Sequence, residues 1–175
     1  SWGSDPGQFK GPIGIGTSDS GAIFVADFMN HRVQRFDVYG TFHSQYGSEG
    51  GANGKLRYPR DVDSLKWFPW HIFVADFANN RIQEFDVDTS YVAKWGTAGS
   101  GEGEFQGPCG IAVLDLDGAV VAVYVVDQDN HCAQQFDEDH DFVREWGGLG
   151  DGEGQFNTPG GVGLDQNGLV YVADR

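Results

Sequence analysis

An aspartate recurs at similar positions along the chain, each time directly after a short apolar segment. The four copies are Asp27, Asp76, Asp127 and Asp174. Arg32 and Arg81 follow the first two aspartates by five positions, whereas the third copy has Cys132 there. A ring of charged groups could carry catalysis, but a catalytic site needs unique residues in one place. The recurrence therefore favours a structural hydrogen bond or ion pair between adjacent segments, weakened at Cys132.

Two other sets of side chains have the types that bind metals. Asp137, Asp139 and Asp141 alternate along the chain, which can suit calcium, but they lack the turn glycine and the later glutamate of a helix-loop-helix site. His31 and His131 share one repeat position, and Cys109 alone does not supply the three or four converging ligands that zinc needs; the other cysteine is Cys132. We interpret the aspartates as a solvated turn and the cysteines as buried free thiols. We therefore expect no catalytic residue, metal or cofactor, with Asp137, Asp139 and Asp141 as the residual calcium candidates.

Large aromatic residues stand where the other copies have turn residues. The segment Lys66-Trp67-Phe68-Pro69-Trp70 replaces the Asp, Ser, Gly and Asn found there in the other copies. Exposed tryptophans are common at binding hot spots, so Trp67, Phe68 and Trp70 are predicted to contact a protein partner. The alternative is that this loop folds back on the protein. Phe28 and Phe77 share one position after the recurrent aspartate, where a contact and a structural role are both open.

These residues belong to an internal repeat that runs through the chain. The copies span residues 11–47, 58–96 and 107–147, and a partial copy spans 159–175. Their marker residues Pro12, Pro59, Pro108 and Pro159 are 47, 49 and 51 residues apart. Each full copy contains four short segments with alternating apolar residues, separated by turn residues, which is typical of β-strands. The third copy carries about two extra residues before its Val-Val-Asp.

Four short strands in a unit of this length are typical of a β-propeller blade. The glycine-rich first segment suits the crowded centre of such a ring, and the apolar second segment suits a strand covered on both faces. The predicted fold is all-β: one domain over residues 1–175, with about three and a half four-stranded blades in an incomplete ring. We expect a longer polypeptide, or other copies of the chain, to supply the remaining blades.

The repeat resembles the NHL family. The motifs are Pro-x-Gly followed by Ile or Val, Val-Ala-Asp or Val-Val-Asp, Asn-His-Arg-Val-Gln-Arg-Phe in the first copy, and glycine-rich linkers such as TAGSGEGEFQGP. The resemblance implies a rigid platform whose loops bind partners. In the amidating lyases that NHL repeats resemble, metal-binding histidines follow the marker proline. The residues there are Ile13, Arg60, Cys109 and Gly160, so that zinc site is not expected in these blades.

The charge of the chain restricts its partners. With 26 Asp and Glu against 11 Lys and Arg, the formal net charge is −15, which opposes binding to a phosphate backbone. Lys55, Arg57 and Arg60 form the one basic cluster in the sequence, so we do not expect nucleic-acid binding. No apolar run is long enough for a membrane helix, so no membrane insertion is expected.

The leading hypothesis is a noncatalytic protein-interaction or scaffold module with a basic partner. A propeller lyase or hydrolase with a channel metal, and an RNA-binding NHL domain, stay as alternatives.

Overall fold

The strands form sheets in the order in which they occur along the chain. A computed structural model describes residues 1–67, 70–165 and 167–175. The first blade contains β1 (Pro12–Thr17), β2 (Ile23–Asp27), β3 (Arg32–Phe36) and β4 (Phe42–Tyr46). The second contains β5 (Pro59–Ser64), β6 (Ile72–Asp76), β7 (Arg81–Phe85) and β8 (Tyr91–Trp95). The third contains β9 (Pro108–Leu116), β10 (Ala119–Asp127), β11 (Cys132–Phe136) and β12 (Phe142–Gly147). Strands β13 (Gly161–Leu164) and β14 (Val170–Ala173) form half of a fourth blade.

Each blade is an antiparallel sheet in which neighbouring strands are joined by short turns. The three full blades have four strands each, and the last has two. The extra residues of the third copy lengthen β9 and β10 to nine residues each. Their hairpin turns at Asp117 and Gly118, which both have positive φ angles (53° and 84°). The predicted all-β propeller arc is therefore confirmed.

The core lies between blades rather than within one sheet. Successive residues of a strand point to opposite faces, so each middle strand serves two interfaces. In β6, Ile72 and Val74 pack toward the first blade, while Phe73 and Ala75 pack toward the third. A smaller cluster that includes Val126 and Val172 joins the third blade to the half blade. The second blade is thus covered on both sides.

The inner strands β1, β5, β9 and β13 line a central channel, and glycine permits their close approach. A Cβ atom on Gly16 would lie 2.5 Å from the carbonyl oxygen of Val62, and one on Gly110 would lie 2.9 Å from the Cα of Gly161. Both neighbours are backbone atoms, which cannot move aside as a flexible side chain would. The prediction that small residues serve the crowded centre is borne out at these two positions.

Two short 3-10 helices, Phe28–Asn30 and Phe77–Asn79, connect the second and third strands of the first two blades. Each ends at a residue with left-handed backbone, His31 with φ 55° and Asn80 with φ 51°. These turns and the glycine-rich linkers lie at one end of the channel, called here the linker face. The turns between first and second strands, and between third and fourth strands, lie at the other end, called here the turn face. Among the described residues, no helix has the length and apolar character needed to cross a membrane.

Candidate binding surfaces

The recurrent aspartates bind the arginines that follow them. Arg32 Nε donates to Asp27 Oδ2 at 2.9 Å, and Arg81 Nε donates to Asp76 Oδ2 at 2.8 Å. All four side chains are buried. A buried ion pair needs further hydrogen bonds to offset the cost of desolvation. Asp76 obtains them from the backbone N–H of Arg57 and the side-chain amides of Asn79 and Gln83.

The same network holds the linker that precedes each blade. In the second blade, Arg81 donates to the carbonyl oxygens of Gly51, Ala52 and Lys55 at 2.8 to 3.0 Å. Gln83 accepts from the backbone N–H of Gly54 and donates to the oxygen of Lys55. Each nitrogen of the Arg81 guanidinium group therefore donates to an oxygen of its own blade or linker. These residues thus fix the linker to the second blade.

The third and fourth copies keep part of this arrangement. Asp127 is buried and accepts hydrogen bonds from the backbone N–H of Gln106 and the side-chain amide of Asn130. Cys132, which stands in place of the arginine, is a buried free thiol. Asp174 is exposed, and the backbone N–H groups of Asn157 and Thr158 hold its pKa below the ordinary value. Each of these aspartates thus contacts its own linker, but without an arginine.

The two described tryptophans of the aromatic turn differ in their exposure to solvent. Trp67 is 57% exposed on the turn face, whereas Trp70 is only 8% exposed. The Trp70 ring packs edge-on against Phe24 of the first blade at a centroid distance of 6.5 Å, and the Arg35 guanidinium lies 4.5 Å from its centre. Trp70 therefore fills an interface between blades and does not offer its ring to a partner, contrary to the sequence expectation. Phe68, the third predicted contact, lies outside the described residues.

The carboxylates proposed as calcium ligands belong to a hairpin turn. Asp137 Oδ1 accepts hydrogen bonds from the backbone N–H groups of Asp139 and Asp141 at 3.0 and 2.9 Å. Asp37 and Asp86 make the same pair of bonds in the equivalent turns of the other blades. One Asp137 oxygen is thus used in shaping the turn, while the side chains of Asp139 and Asp141 are exposed. Among the described residues, no group of three or more His, Cys, Asp or Glu is arranged to hold a metal ion.

The turn face combines these acidic turns with exposed apolar side chains. Val38, Tyr39 and Leu116 are exposed in the same set of turns as Trp67. Lys66 beside Trp67 is engaged by Asp63, with Nζ 3.4 Å from Oδ1, so its charge is partly neutralised. The turn face therefore carries exposed apolar side chains that are separated from one another and accompanied by acidic residues.

Two aspartates of β5 face the turn end of the channel, and sequence reasoning did not assign them a role. Asp61 Oδ2 accepts from the backbone N–H of Ile111 at 3.0 Å, and Asp63 Oδ2 accepts from that of Val113 at 2.8 Å. Burial raises the pKa of Asp61 to about 7 and also raises that of Asp63. The sequence does mark this place: the second copy has Arg60-Asp61 where each of the other copies has a pair that contains glycine.

The linker face holds the other two predicted contact residues. Phe28 is half-buried against Tyr58, with ring centroids 5.0 Å apart, and His31 Nδ1 accepts the backbone N–H of Tyr58 at 3.0 Å. Phe77 is half-buried beneath the guanidinium group of Arg60, which lies 3.8 Å from the ring centre. Both phenylalanines thus have structural contacts and keep part of their surface accessible at the mouth of the channel.

The blade stacking, the channel and the loop-bearing faces together define a β-propeller arc. The family model of the NHL repeat matches residues 9–36, which comprise the first three strands of the first blade and the end of its linker. The other blades repeat the same motifs and similar contacts, so repeats of the NHL type recur along the chain. It is 43% identical over 56 residues to the Protein brain tumor of Drosophila melanogaster, covering 32% of this chain and 5% of that protein.

Solved structures with the same fold are more distant in sequence. A streptogramin B lyase structure has a TM-score of 0.66 at 14% identity, covering 98% of this chain and 50% of that chain. A protein of unknown function from Bacteroides thetaiotaomicron has a TM-score of 0.70 at 19% identity, covering 93% of this chain and 44% of that chain. The chain thus spans half or less of these structures and a small part of the fly protein. At these identities the structures show the fold alone.

Proposed function

We propose that this chain is a noncatalytic protein-interaction module whose turn face binds a basic partner. The observation that carries the proposal is the exposure of Trp67, which is 57% accessible on a face whose other turns contain acidic residues. A tryptophan can bury a large apolar area on binding without ordering a flexible chain, which is why it is enriched at hot spots. Phe68, the adjacent aromatic residue, is proposed as a second anchor.

The acidic turns would guide the partner toward Trp67. Charge complementarity at the rim of an interface mainly raises the association rate and rejects partners of the wrong sign. Asp139 and Asp141 are exposed at the outer edge of the face, and the net charge of −15 extends the negative field beyond it. A lysine- or arginine-rich protein segment with an apolar residue would complement both features. Phe28 and Phe77, on the linker face, are proposed as a separate and smaller contact.

Replacing Trp67 tests this proposal. Peptides rich in Lys and Arg would be selected from a displayed library on the unmodified protein, and their dissociation constants measured for Trp67→Ala. We expect a loss of about 2 kcal/mol, or some thirtyfold in affinity, because hot-spot tryptophans contribute this much. The thermal midpoint should change little because the ring is largely exposed. Affinity should also fall as salt is added.

The matched control is Trp2→Ala. Trp2 is 80% exposed but pairs with the first linker, away from the turn face. Its removal should leave the selected peptides bound as before. Trp70→Ala is unsuitable because it would open a cavity between blades. Equal affinity of the Trp67→Ala protein and the unmodified protein, or selection of acidic peptides instead, would refute the proposal.

A further inference from the structure

A cavity at the linker end of the channel is not used by the interaction proposed for the turn face. It measures about 350 Å³, within the range of sites that bind small molecules. Residues from all four blades line it, among them Ile13, Arg60, Cys109, Gln128 and Gly160. These include the positions directly after the marker prolines. Arg60 is the charged residue at that position, and the repeat pattern gives no structural reason for it.

Arg60 is bonded far less completely than the structural arginines. Its Nη1 donates to Gln128 Oε1, which is its one side-chain hydrogen bond among the described residues. Its Nε is buried without a hydrogen-bond partner in the part of the chain that the structure describes. Arg81, by contrast, donates four hydrogen bonds and pairs with a carboxylate. Arg60 therefore has N–H donors that no described residue accepts.

The charge of Arg60 is also uncompensated. No carboxylate among the described residues lies within ion-pair distance of it, although the chain has 26 acidic residues. The Phe77 ring covers one face of the guanidinium group and reduces its contact with water. An unpaired charge in such a position is costly, and an anion that accepts its hydrogen bonds relieves that cost. Retaining it in a strongly acidic protein points to a ligand.

We propose that this cavity binds a small organic carboxylate, with the guanidinium group of Arg60 holding the carboxylate. The two ends of the channel differ in sign, since Asp61 and Asp63 line the turn end whereas no Asp or Glu lines this cavity. Arg175 is the other charged residue of the lining. The walls beside Arg60 include Ile13, which is apolar, and Cys109, whose thiol pKa burial raises to about 12. An apolar group on the ligand would pack there. A singly charged carboxylate suits the net charge of −15 better than a phosphate dianion does.

Calorimetric titration with defined probes tests the proposal. The probes are isovalerate, the peptide N-acetyl-Gly-Gly-Leu with a free carboxyl group, the same peptide as its carboxamide, and inorganic phosphate, all at constant ionic strength. We expect isovalerate to bind and the carboxamide not to bind. Binding of the free peptide as well would identify a chain terminus as a second source of the carboxylate, while its failure would restrict the site to small acids. Binding of phosphate alone, equal binding of the carboxamide, or no binding by either carboxylate would overturn the proposal.

Two variants locate the site. Arg60→Gln should weaken isovalerate binding by roughly tenfold or more, because hydrogen bonds to a charged group are lost. Arg57→Gln removes the same charge from an exposed position on the same face and should change the affinity by less than roughly twofold. Equal effects of the two variants would show a general charge effect and contradict the assignment.

Gly160→Leu tests the cavity while leaving Arg60 intact. A Cβ at this position would meet only the Nε of Arg175, at 3.9 Å, so the new side chain enters open space and the fold is retained. We expect isovalerate binding to be abolished with an unchanged thermal midpoint. Nuclear magnetic resonance shifts of the Gln128 side-chain amide on titration provide an independent readout. Undiminished binding by Gly160→Leu would place the ligand elsewhere and overturn the proposal.

Discussion

Individual side chains show where repeat-based reasoning succeeds and where it fails. The aspartate and arginine pairs could be predicted because they recur, and recurrence indicates a structural role. The burial of Trp70 could not, because it depends on how Phe24 and Arg35 of the neighbouring blade meet this turn. His140 likewise belongs by sequence to an acidic turn, yet it stacks on Trp95 at 4.0 Å, and burial lowers its pKa. Contacts between copies are not encoded in the pattern that the copies share.

Asp61 should make the stability of the protein depend on pH. Its pKa is about 7 in the folded state against 3.8 ordinarily, so between these values the folded state retains a proton that the unfolded state has lost. The free energy of unfolding should therefore fall as pH rises through this window, by up to about 1.4 kcal/mol per pH unit. Asp61→Asn cannot ionise, so its stability relative to the unmodified protein should rise from pH 4 to pH 7. Urea denaturation across this range measures the difference.

Asp37→Asn is the control for that measurement. The backbone N–H of Thr41 lowers the pKa of Asp37, so above about pH 5 this carboxyl group is ionised in both the folded and the unfolded state. Its replacement should shift stability by a nearly constant amount from about pH 5 to pH 7. A constant difference for Asp61→Asn as well would show that Asp61 ionises normally.

At the scale of elements, the strands and their order could be predicted from the alternation of apolar residues and the spacing of turns. The two extra residues of the third copy were visible in the sequence, and they lengthen the hairpin of β9 and β10. The glycines of the inner strands carry a further distinction that sequence cannot show. Gly16 and Gly163 are equivalent in the repeat, but among the described residues a Cβ at Gly16 would meet the neighbouring blade, whereas one at Gly163 would meet nothing within 4 Å.

Gly16→Ala should therefore destabilise the protein, and Gly163→Ala should not. The added methyl group at Gly16 would lie 2.5 Å from the Val62 carbonyl oxygen, whereas the same group at Gly163 would meet nothing within 4 Å. Forced separation of β1 and β5 should cost about 1 to 3 kcal/mol. Denaturant midpoints of the two variants provide the comparison. Similar midpoints would mean that the inner strands can shift apart without cost.

For the whole molecule, the arc predicts a gradient of local stability. The residues of β6 and β7 are buried throughout, whereas those of β14 alternate between partial burial and exposure. Amide groups open most rarely where packing covers both faces of a sheet. In the 175-residue chain, we expect hydrogen exchange to be slowest in β6 and β7 and fastest in β13 and β14, with β1 to β4 between them. Mass spectrometry of peptides after timed exchange reports this order, and uniform protection across all blades would contradict it.

The hydrogen bonds that hold each linker to its blade, called here the linker clamp, also determine which segments can be moved between propellers. Since Asp76, Arg81 and Gln83 hold residues 51–57, the loop that leads into the second blade is mechanically part of it. A cassette cut between residues 47 and 48 and again after residue 96 would carry its own clamp with it. The sequence repeat begins at residue 58. A cut there would separate the buried Asp76–Arg81 ion pair from the linker carbonyl groups that accept hydrogen bonds from Arg81. Shuffling of blades, in the laboratory or over evolutionary time, should therefore respect the first boundary.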